Sequence, residues 1–162
     1  MADKHTKEQR RKNMQAVKSS GSKIETVLAK AMCARGLRYR KQYKGITGKP
    51  DFAFISLRIA VFCDSEFWHG KDWKTKKNEI KSNRDFWIKK IEGNIERDRK
   101  VNRELAAAGW LVLRYWGRDI QKDLVNCVQE IEQAIAERKN DKQSKKNQRR
   151  KDRQNSKSTE VG

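Results

Sequence analysis

Residues 51–63 read DFAFISLRIAVFC, and this stretch decides the fold. Its two apolar runs, 51–55 and 58–63, are joined by a short turn and predict a β-hairpin. The second run is nearly all apolar, as in strands that are covered on both faces. Asp51 begins the first run and Asp64 follows the second. Because these two ends lie side by side in an antiparallel hairpin, we expect the two carboxylates to be neighbours.

Helical and strand patterns alternate on both sides of the hairpin. Apolar residues at helical spacing predict a helix that starts near Ile24 and ends at Gly36. Further along, the patterns predict a strand over 37–43, a long helix over 82–108, a strand over 110–116, and a last helix from Asp119 or Gln121. The buried side of the long helix is predicted to carry Phe86, Ile88, Ile91, Ile95, Val101 and Leu105. This order predicts a single-domain α/β fold, a small mixed sheet flanked by helices.

The chain is strongly basic, with 40 lysines and arginines against 21 acidic residues and a formal charge of +19. Such an excess indicates an anionic partner, and nucleic acid is the first candidate. No run approaches the roughly 20 apolar residues that span a bilayer, and the polar N-terminus lacks the apolar core of a signal peptide. The 3 cysteines are widely spaced and predict neither a zinc finger nor a disulfide framework. We therefore expect a cytoplasmic protein without a membrane partner.

Residues 64–70 read DSEFWHG and concentrate chemically active groups just past the second strand. Asp51 and Asp64 suit Mg²⁺, which is usually held by one or two carboxylates together with water and phosphate oxygens. His69 suits a general acid or base, because the pKa of histidine is near neutral. Isolated strand-end aspartates and lone loop histidines are more often structural. Their combination in a basic chain favours hydrolysis of a phosphodiester backbone.

Phe67 and Trp68 form an adjacent aromatic pair in a polar loop that spans residues 64–83. Neighbouring side chains point in different directions, so we do not expect both in the core, although burial of one remains an alternative. Aromatic wedges inserted between base pairs are a known means of unstacking and kinking DNA. Trp87 lies off the apolar stripe of the long helix and could join the pair.

Several motifs occur together in one known family. Met1-Ala2-Asp3, Lys12-Asn13-Met14, Ile24-Glu25, Gly48-Lys49-Pro50-Asp51-Phe52, Phe67-Trp68-His69, Phe86-Trp87 and Asn94-Ile95-Glu96-Arg97-Asp98 resemble, in order and spacing, the very short patch repair (Vsr) DNA mismatch endonucleases. The resemblance runs from the N-terminus to about Trp116. It implies a restriction-endonuclease-like fold and magnesium-dependent nicking of one DNA strand. The implied nick lies on the 5′ side of the thymine in T:G mismatches that arise from deamination of 5-methylcytosine.

The resemblance also implies catalytic roles for single residues. Asp51 would bind the metal, and the backbone carbonyl of Cys63 would complete the metal shell. His69 would act on the attacking water. Glu25 and Asp98 match supporting acidic residues around the site.

The DNA-binding residues implied by the resemblance form two groups. Aromatics that intercalate beside the mismatch match Phe67, Trp68 and Trp87, and an N-terminal element that clamps the DNA matches Lys12, Asn13 and Met14. We therefore divide the chain into a basic DNA-clamping segment over 1–20, a catalytic domain over 21–139 and a tail over 140–162. The tail carries eight lysines and arginines against three acidic residues and almost nothing apolar, so it is predicted to be disordered.

One departure from the family concerns zinc. Zinc-containing members carry a Cys/His cluster around Phe-Trp-His, whereas here the corresponding positions are Glu66, Gly70, Lys71, Asp72 and Trp73, with Gly117 and Arg118 downstream. No soft four-ligand site can be assembled from these residues, so no structural zinc is predicted. Asp64 stands where some members have a histidine, and it could act as a second metal-binding carboxylate.

The leading prediction is a monomeric enzyme that acts on double-stranded DNA with T:G mismatches. Its function would place it at the bacterial nucleoid and link it to a cytosine-5 DNA methyltransferase and to mismatch-repair proteins. Two alternatives remain open. One is a related nuclease with another target, such as branched or single-stranded DNA. The other is a non-catalytic basic nucleic-acid-binding protein, which accounts for the charge but gives no reason for Asp51, Asp64 and His69.

Overall fold

The computed structural model describes residues 6–9, 11 and 22–159 of the chain. From residue 22 onward the order is helix α1 (Lys23–Ala34), strands β1 (Arg40–Lys41), β2 (Phe52–Phe54) and β3 (Ile59–Asp64), helices α2 (Trp73–Lys76) and α3 (Arg84–Ala107), strand β4 (Leu111–Trp116), and helices α4 (Gly117–Lys122) and α5 (Leu124–Thr159). Short 3₁₀ turns occupy Ile55–Leu57 and Lys77–Glu79. None of the described helices combines the length and apolar composition needed to cross a bilayer.

The strands form a four-stranded mixed sheet in the order β1-β2-β3-β4. The predicted hairpin is confirmed, because β2 and β3 pair antiparallel with Phe52 opposite Val61. β3 and β4 pair in parallel, with Asp64 opposite Trp116. Parallel neighbours need a crossover connection, and the long helix α3 supplies it. The predicted mixed sheet flanked by helices is thus confirmed.

Helices cover both faces of the sheet. Along β3, Ile59 and Val61 face a core shared with α1, α4 and α5, whereas Ala60 and Phe62 face a second core under α3. This alternation follows from the period of two in a strand. It also accounts for the nearly continuous apolar run in the sequence, since both faces are buried.

Two of the predicted elements differ in the structure. The strand expected over 37–43 is limited to Arg40–Lys41, because Gln42 adopts a positive φ of 47° that ends the extended backbone. Phe86 was predicted to be buried on the long helix, but its side chain is 60% exposed. Of the predicted stripe, Ile91, Val101 and Leu105 are buried, whereas Ile88 and Ile95 are half-buried.

The segment expected to be a disordered tail is also different, because α5 continues as one helix to Thr159. Glycine and proline are missing between 124 and 159, and most residues of that stretch have good helix propensity. Side-chain hydrogen bonds one turn apart, such as Gln143 to Asn147 and Gln148 to Asp152, add support. The division of the chain at residues 20/21 and 139/140 stays a prediction.

Candidate active site

Polar side chains line a cleft of about 410 Å³ at the edge of the sheet where β3 ends. Four carboxylates, a histidine, two arginines and a lysine line it from α1, β3, α3, β4 and the connecting loops: Glu25, Asp51, Asp64, Asp98, His69, Arg97, Arg114 and Lys49. The hairpin brings Asp51 and Asp64 to the same edge, as the sequence predicts. The predicted catalytic residues therefore lie around one cleft.

Asp51 is held by the backbone of β3. The Cys63 N–H donates to its Oδ2 at 2.7 Å, and Gln42 Nε2 donates to its Oδ1 at 3.0 Å. The same Gln42 nitrogen donates to Glu25 Oε2 at 3.1 Å, so one amide joins the two carboxylates. Burial raises the pKa of Asp51 to about 6, with a further contribution from the charge of Glu25 and against the effect of the Cys63 N–H. A cation between these carboxylates would reverse that shift.

The donors around Asp51 fit a hard cation such as Mg²⁺. Carboxylate and carbonyl oxygens are its preferred ligands, and Asp51, Glu25 and the backbone of Cys63 offer them. Burial raises the pKa of the Cys63 thiol, so the sulfur stays protonated and does not compete as a thiolate ligand. The neutral side chain of Gln42 orients the two carboxylates without neutralising them.

Asp64 lies in a second cluster with His69 and Asp98, each offering one ligand atom within 4.8 Å of the others. Both oxygens of Asp64 accept from Arg114 Nη1, each at 3.1 Å. Arg114 is itself fixed by Asn102, whose Oδ1 accepts from Nε at 2.8 Å. The role of Asp64 as a metal ligand stays a prediction, and a cation there would share its oxygens with Arg114.

His69 is oriented by a carboxylate from α3. Its Nδ1 lies 2.7 Å from Asp98 Oδ2 and 3.6 Å from Asp64 Oδ1. Because a carboxylate can only accept, Nδ1 donates to Asp98 and Nε2 is left to exchange a proton with water. Burial acts to lower the pKa of His69, but the hydrogen bond to Asp98 and the charge of Asp64 outweigh it and raise the pKa above its ordinary value.

Four aromatic rings cluster at the mouth of the cleft. Phe67 packs on Trp68 and Trp87 with ring centroids 5.3 and 5.7 Å apart, and Trp68 lies 5.8 Å from Trp87. Phe86 extends the cluster through Trp87 at 5.1 Å. Phe67 is 49% exposed, so this cluster presents apolar surface to solvent. The three predicted aromatics are brought together, and Phe86 is an unpredicted fourth.

The loop that carries these groups is fastened at both ends. Asn94 Nδ2 donates to the Trp68 carbonyl at 3.0 Å. Glu66 Oε1 accepts from the Arg118 N–H at 2.6 Å, which ties the loop to the first turn of α4. Gly70 has a φ of +68°, and a Cβ there would lie 2.4 Å from Ile95 Cδ1. Glu66 and Gly70 thus have structural roles at the positions where other members carry zinc ligands, and the lack of a structural zinc stays a prediction.

Sequence reasoning missed three polar residues of the site. Gln42 directly follows the short strand β1 and belongs to no catalytic pattern, and Asn94 occurs only within a family motif. Arg114 could have been found from the sequence, because it is the single charged residue in the apolar run LVLRYW (111–116). Burying an unpaired charge in such a strand would be costly. A buried partner of opposite charge, here Asp64, was therefore to be expected.

The model of one family, described as DNA mismatch endonuclease Vsr, matches residues 2–75. The type II nicking enzyme V.NmeDIP of Neisseria meningitidis serogroup C is 54% identical over 136 residues, which cover 84% of this chain and 92% of that enzyme. V.HpaIIP of Haemophilus parainfluenzae, another type II nicking enzyme, is 53% identical over 84% of this chain and 97% of its own length.

The DNA mismatch endonuclease Vsr of Escherichia coli K12 is 38% identical over 116 residues, which cover 72% of this chain and 74% of that protein. These similarities agree with the mixed sheet flanked by helices. The chain therefore belongs to the Vsr family and is a DNA endonuclease.

Proposed function

We propose that this endonuclease uses Mg²⁺ to nick one DNA strand on the 5′ side of the thymine in T:G mismatches left by deamination of 5-methylcytosine. The observation that carries the proposal is the adjacency of Trp68 and His69. Trp68 belongs to the exposed aromatic cluster, and His69 belongs to the carboxylate cluster of the cleft. A group suited to unstacking bases therefore lies directly beside a group suited to hydrolysis.

The cleft residues divide the work of hydrolysis between them. Asp51, Glu25 and the Cys63 carbonyl would hold Mg²⁺, which when bound supplies positive charge at the scissile phosphate and lowers the pKa of water. His69 accepts a proton from the attacking water at Nε2, and Asp98 keeps Nδ1 protonated and the ring oriented. Arg114 holds Asp64 beside them and balances its charge.

The aromatic cluster supports selection of mismatches. Phe67, Trp68 and Trp87 would insert between base pairs, as apolar wedges do in proteins that kink DNA. Unstacking costs a few kcal/mol per step and costs least at a mismatched base. The same insertion energy therefore opens a T:G site more readily than a paired site.

The further features of the proposal concern partners and location. We propose that the enzyme acts as a monomer. T:G mismatches of this origin arise where a cytosine-5 DNA methyltransferase acts, so we propose a functional link to such an enzyme and to mismatch-repair proteins. We also propose that the protein acts in the bacterial cytoplasm, at the nucleoid. Lys12, Asn13 and Met14 lie outside the described residues, and their clamping role is part of the proposal.

A substrate panel tests the proposal. End-labelled T:G duplexes, matched duplexes, branched DNA and single-stranded DNA are incubated with the enzyme, with and without Mg²⁺. We expect a single nick beside the thymine of the T:G duplex that requires Mg²⁺. Preferred cleavage of branched or single-stranded DNA would support the alternative nuclease, and equal nicking of T:G and matched duplexes would contradict the proposed specificity.

A further inference from the structure

The outer part of α5 carries a basic stripe, which we define as Lys142, Lys145, Lys146, Arg149, Arg150 and Arg153. All of them are exposed. At 100° per residue, they fall within about 140° of the helix circumference. Asp152 is the one acidic residue between positions 142 and 153. It lies outside the roughly 140° sector of the stripe, and its Oδ1 accepts a hydrogen bond from Gln148 Nε2. The stripe is therefore a face of one sign.

The stripe forms one wall of a groove of about 930 Å³, and the turn at Ser56 and Leu57 forms part of the other wall. Lys142 Nζ donates to the Ser56 carbonyl at 3.4 Å, which places the start of the stripe against the body of the protein. Beside it, Arg58 and Arg138 line a neighbouring groove of about 500 Å³. The cations of the stripe thus face a surface on which an anionic chain could lie.

The charge of the stripe matches the spacing of charge on duplex DNA. Six cations along about 16 Å of helix give about one charge per 3 Å, and each strand of duplex DNA carries about one charge per 3.4 Å of the axis. Like charges one turn apart repel each other and destabilise a helix. A polyanion bound to the stripe would remove this repulsion.

The stripe lies far from the cleavage cleft. Ser56 precedes β3 and Asp64 ends it, so the two ends of the strand are about 17 Å apart. α5 starts after α4, near the cleft edge, and reaches Ser56 at Lys142. From Lys142 the helix continues for about 25 Å past Ser56, to Thr159. The stripe therefore meets a region of DNA distinct from the nicked step.

We propose that the basic stripe is a second DNA-binding surface, which contacts the phosphates of duplex DNA outside the cleavage cleft without regard to sequence. We take DNA as the anionic partner because the chain is a DNA endonuclease. The proposal does not depend on T:G specificity. The stripe raises the affinity for DNA and leaves the rate of bond cleavage to the cleft.

The test compares two triple variants with the same loss of charge. The stripe variant is Lys146→Gln, Arg149→Gln and Arg153→Gln, and the control variant is Lys30→Gln, Lys122→Gln and Lys151→Gln. Lys151 lies on the opposite side of α5, and all three control lysines are exposed. Glutamine keeps good helix propensity, and far-ultraviolet circular dichroism checks that both variants retain the helix.

Binding is measured by fluorescence anisotropy without Mg²⁺ on a matched duplex of about 40 base pairs, roughly 140 Å long. For the stripe variant we expect roughly a 10- to 100-fold loss of affinity at low salt, and a salt slope smaller by about 2 to 3. The control variant should bind within about twofold of the unmodified enzyme. In a separate assay with Mg²⁺, nicking of a T:G duplex at saturating enzyme should be equal in all three proteins.

Equal losses in both variants would show that only net charge matters, and the proposal would be wrong. Unchanged binding of the duplex by the stripe variant would also overturn it. Because the probe is a matched duplex without Mg²⁺, these results are independent of whether the enzyme prefers T:G mismatches.

Discussion

At the residue scale, the chemistry of His69 depends on Asp98 of α3. The hydrogen bond of 2.7 Å sets the tautomer of the ring and helps to raise its pKa. A histidine that accepts a proton from water must be neutral, so the nicking rate should increase as the pH rises through the pKa of His69. The pH profile of the enzyme is therefore a direct readout of this pair.

Asp98→Asn should change that profile in a defined direction. The substitution removes the negative charge of Asp98 and weakens the hydrogen bond that raises the pKa of His69, so the rising limb of the rate should move to lower pH. The maximal rate should fall by roughly 100-fold, because the ring loses its orientation and tautomer. Single-turnover nicking from acidic to alkaline pH measures both effects. Glu96→Gln, an exposed change on the same helix, serves as the control.

An unshifted limb in Asp98→Asn would mean that another group sets the pH dependence.

The raised pKa of His69 also has a consequence for folding. A histidine with a raised pKa in the folded state stabilises the protein at low pH, and this contribution is lost as the pH rises through the folded pKa. Activity and this contribution to stability therefore change in opposite directions over the same pH range.

At the element scale, the loop after β3 is held between two helices. Asn94 and Asp98, one turn apart on α3, contact the carbonyl of Trp68 and the ring of His69. On the other side, Glu66 accepts from the first turn of α4. Burial acts to raise the pKa of Glu66, but the Arg118 N–H and the charge of Lys71 lower it below its ordinary value. The charged form of Glu66 therefore fastens the loop.

Glu66→Ala should loosen the loop without removing a catalytic group. We expect a loss of about 1 kcal/mol in the free energy of unfolding and a roughly tenfold lower nicking rate, because His69 is less well positioned. Urea unfolding and single-turnover nicking measure the two effects. Glu66→Gln keeps an acceptor oxygen and should restore most of the rate. A rate in Glu66→Ala equal to that of the unmodified enzyme would exclude a positioning role.

The sequence predicted elements best where one pattern dominated. The hairpin, β4 and the long helix follow from apolar periodicity, and Asp51 and Asp64 follow from their places at the strand ends. The short strand β1 was overestimated because the left-handed Gln42 has no sequence signal. The bridge from Gln42 to Glu25 and Asp51 depends on tertiary packing of α1 against the sheet, which no local pattern contains.

At the scale of the whole molecule, the charge of +19 is not spread evenly. The cleft at one end of β3 is rich in carboxylates, whereas the stripe beyond the other end is basic. A cation and the scissile phosphate suit the first surface, and phosphates of the backbone suit the second. The carboxylates around the cleft and the cations of the stripe are therefore separated along the sheet.

The measurement that most directly tests the central claim compares the unmodified enzyme with Asp51→Asn on one end-labelled T:G duplex. Binding and single-turnover nicking are recorded in Mg²⁺. We predict a nick on the 5′ side of the thymine by the unmodified enzyme. In Asp51→Asn the rate should fall by roughly 10³-fold, about 4 kcal/mol of lost stabilisation, while the affinity for the mismatch is retained. Nicking by Asp51→Asn at the unmodified rate would contradict the account.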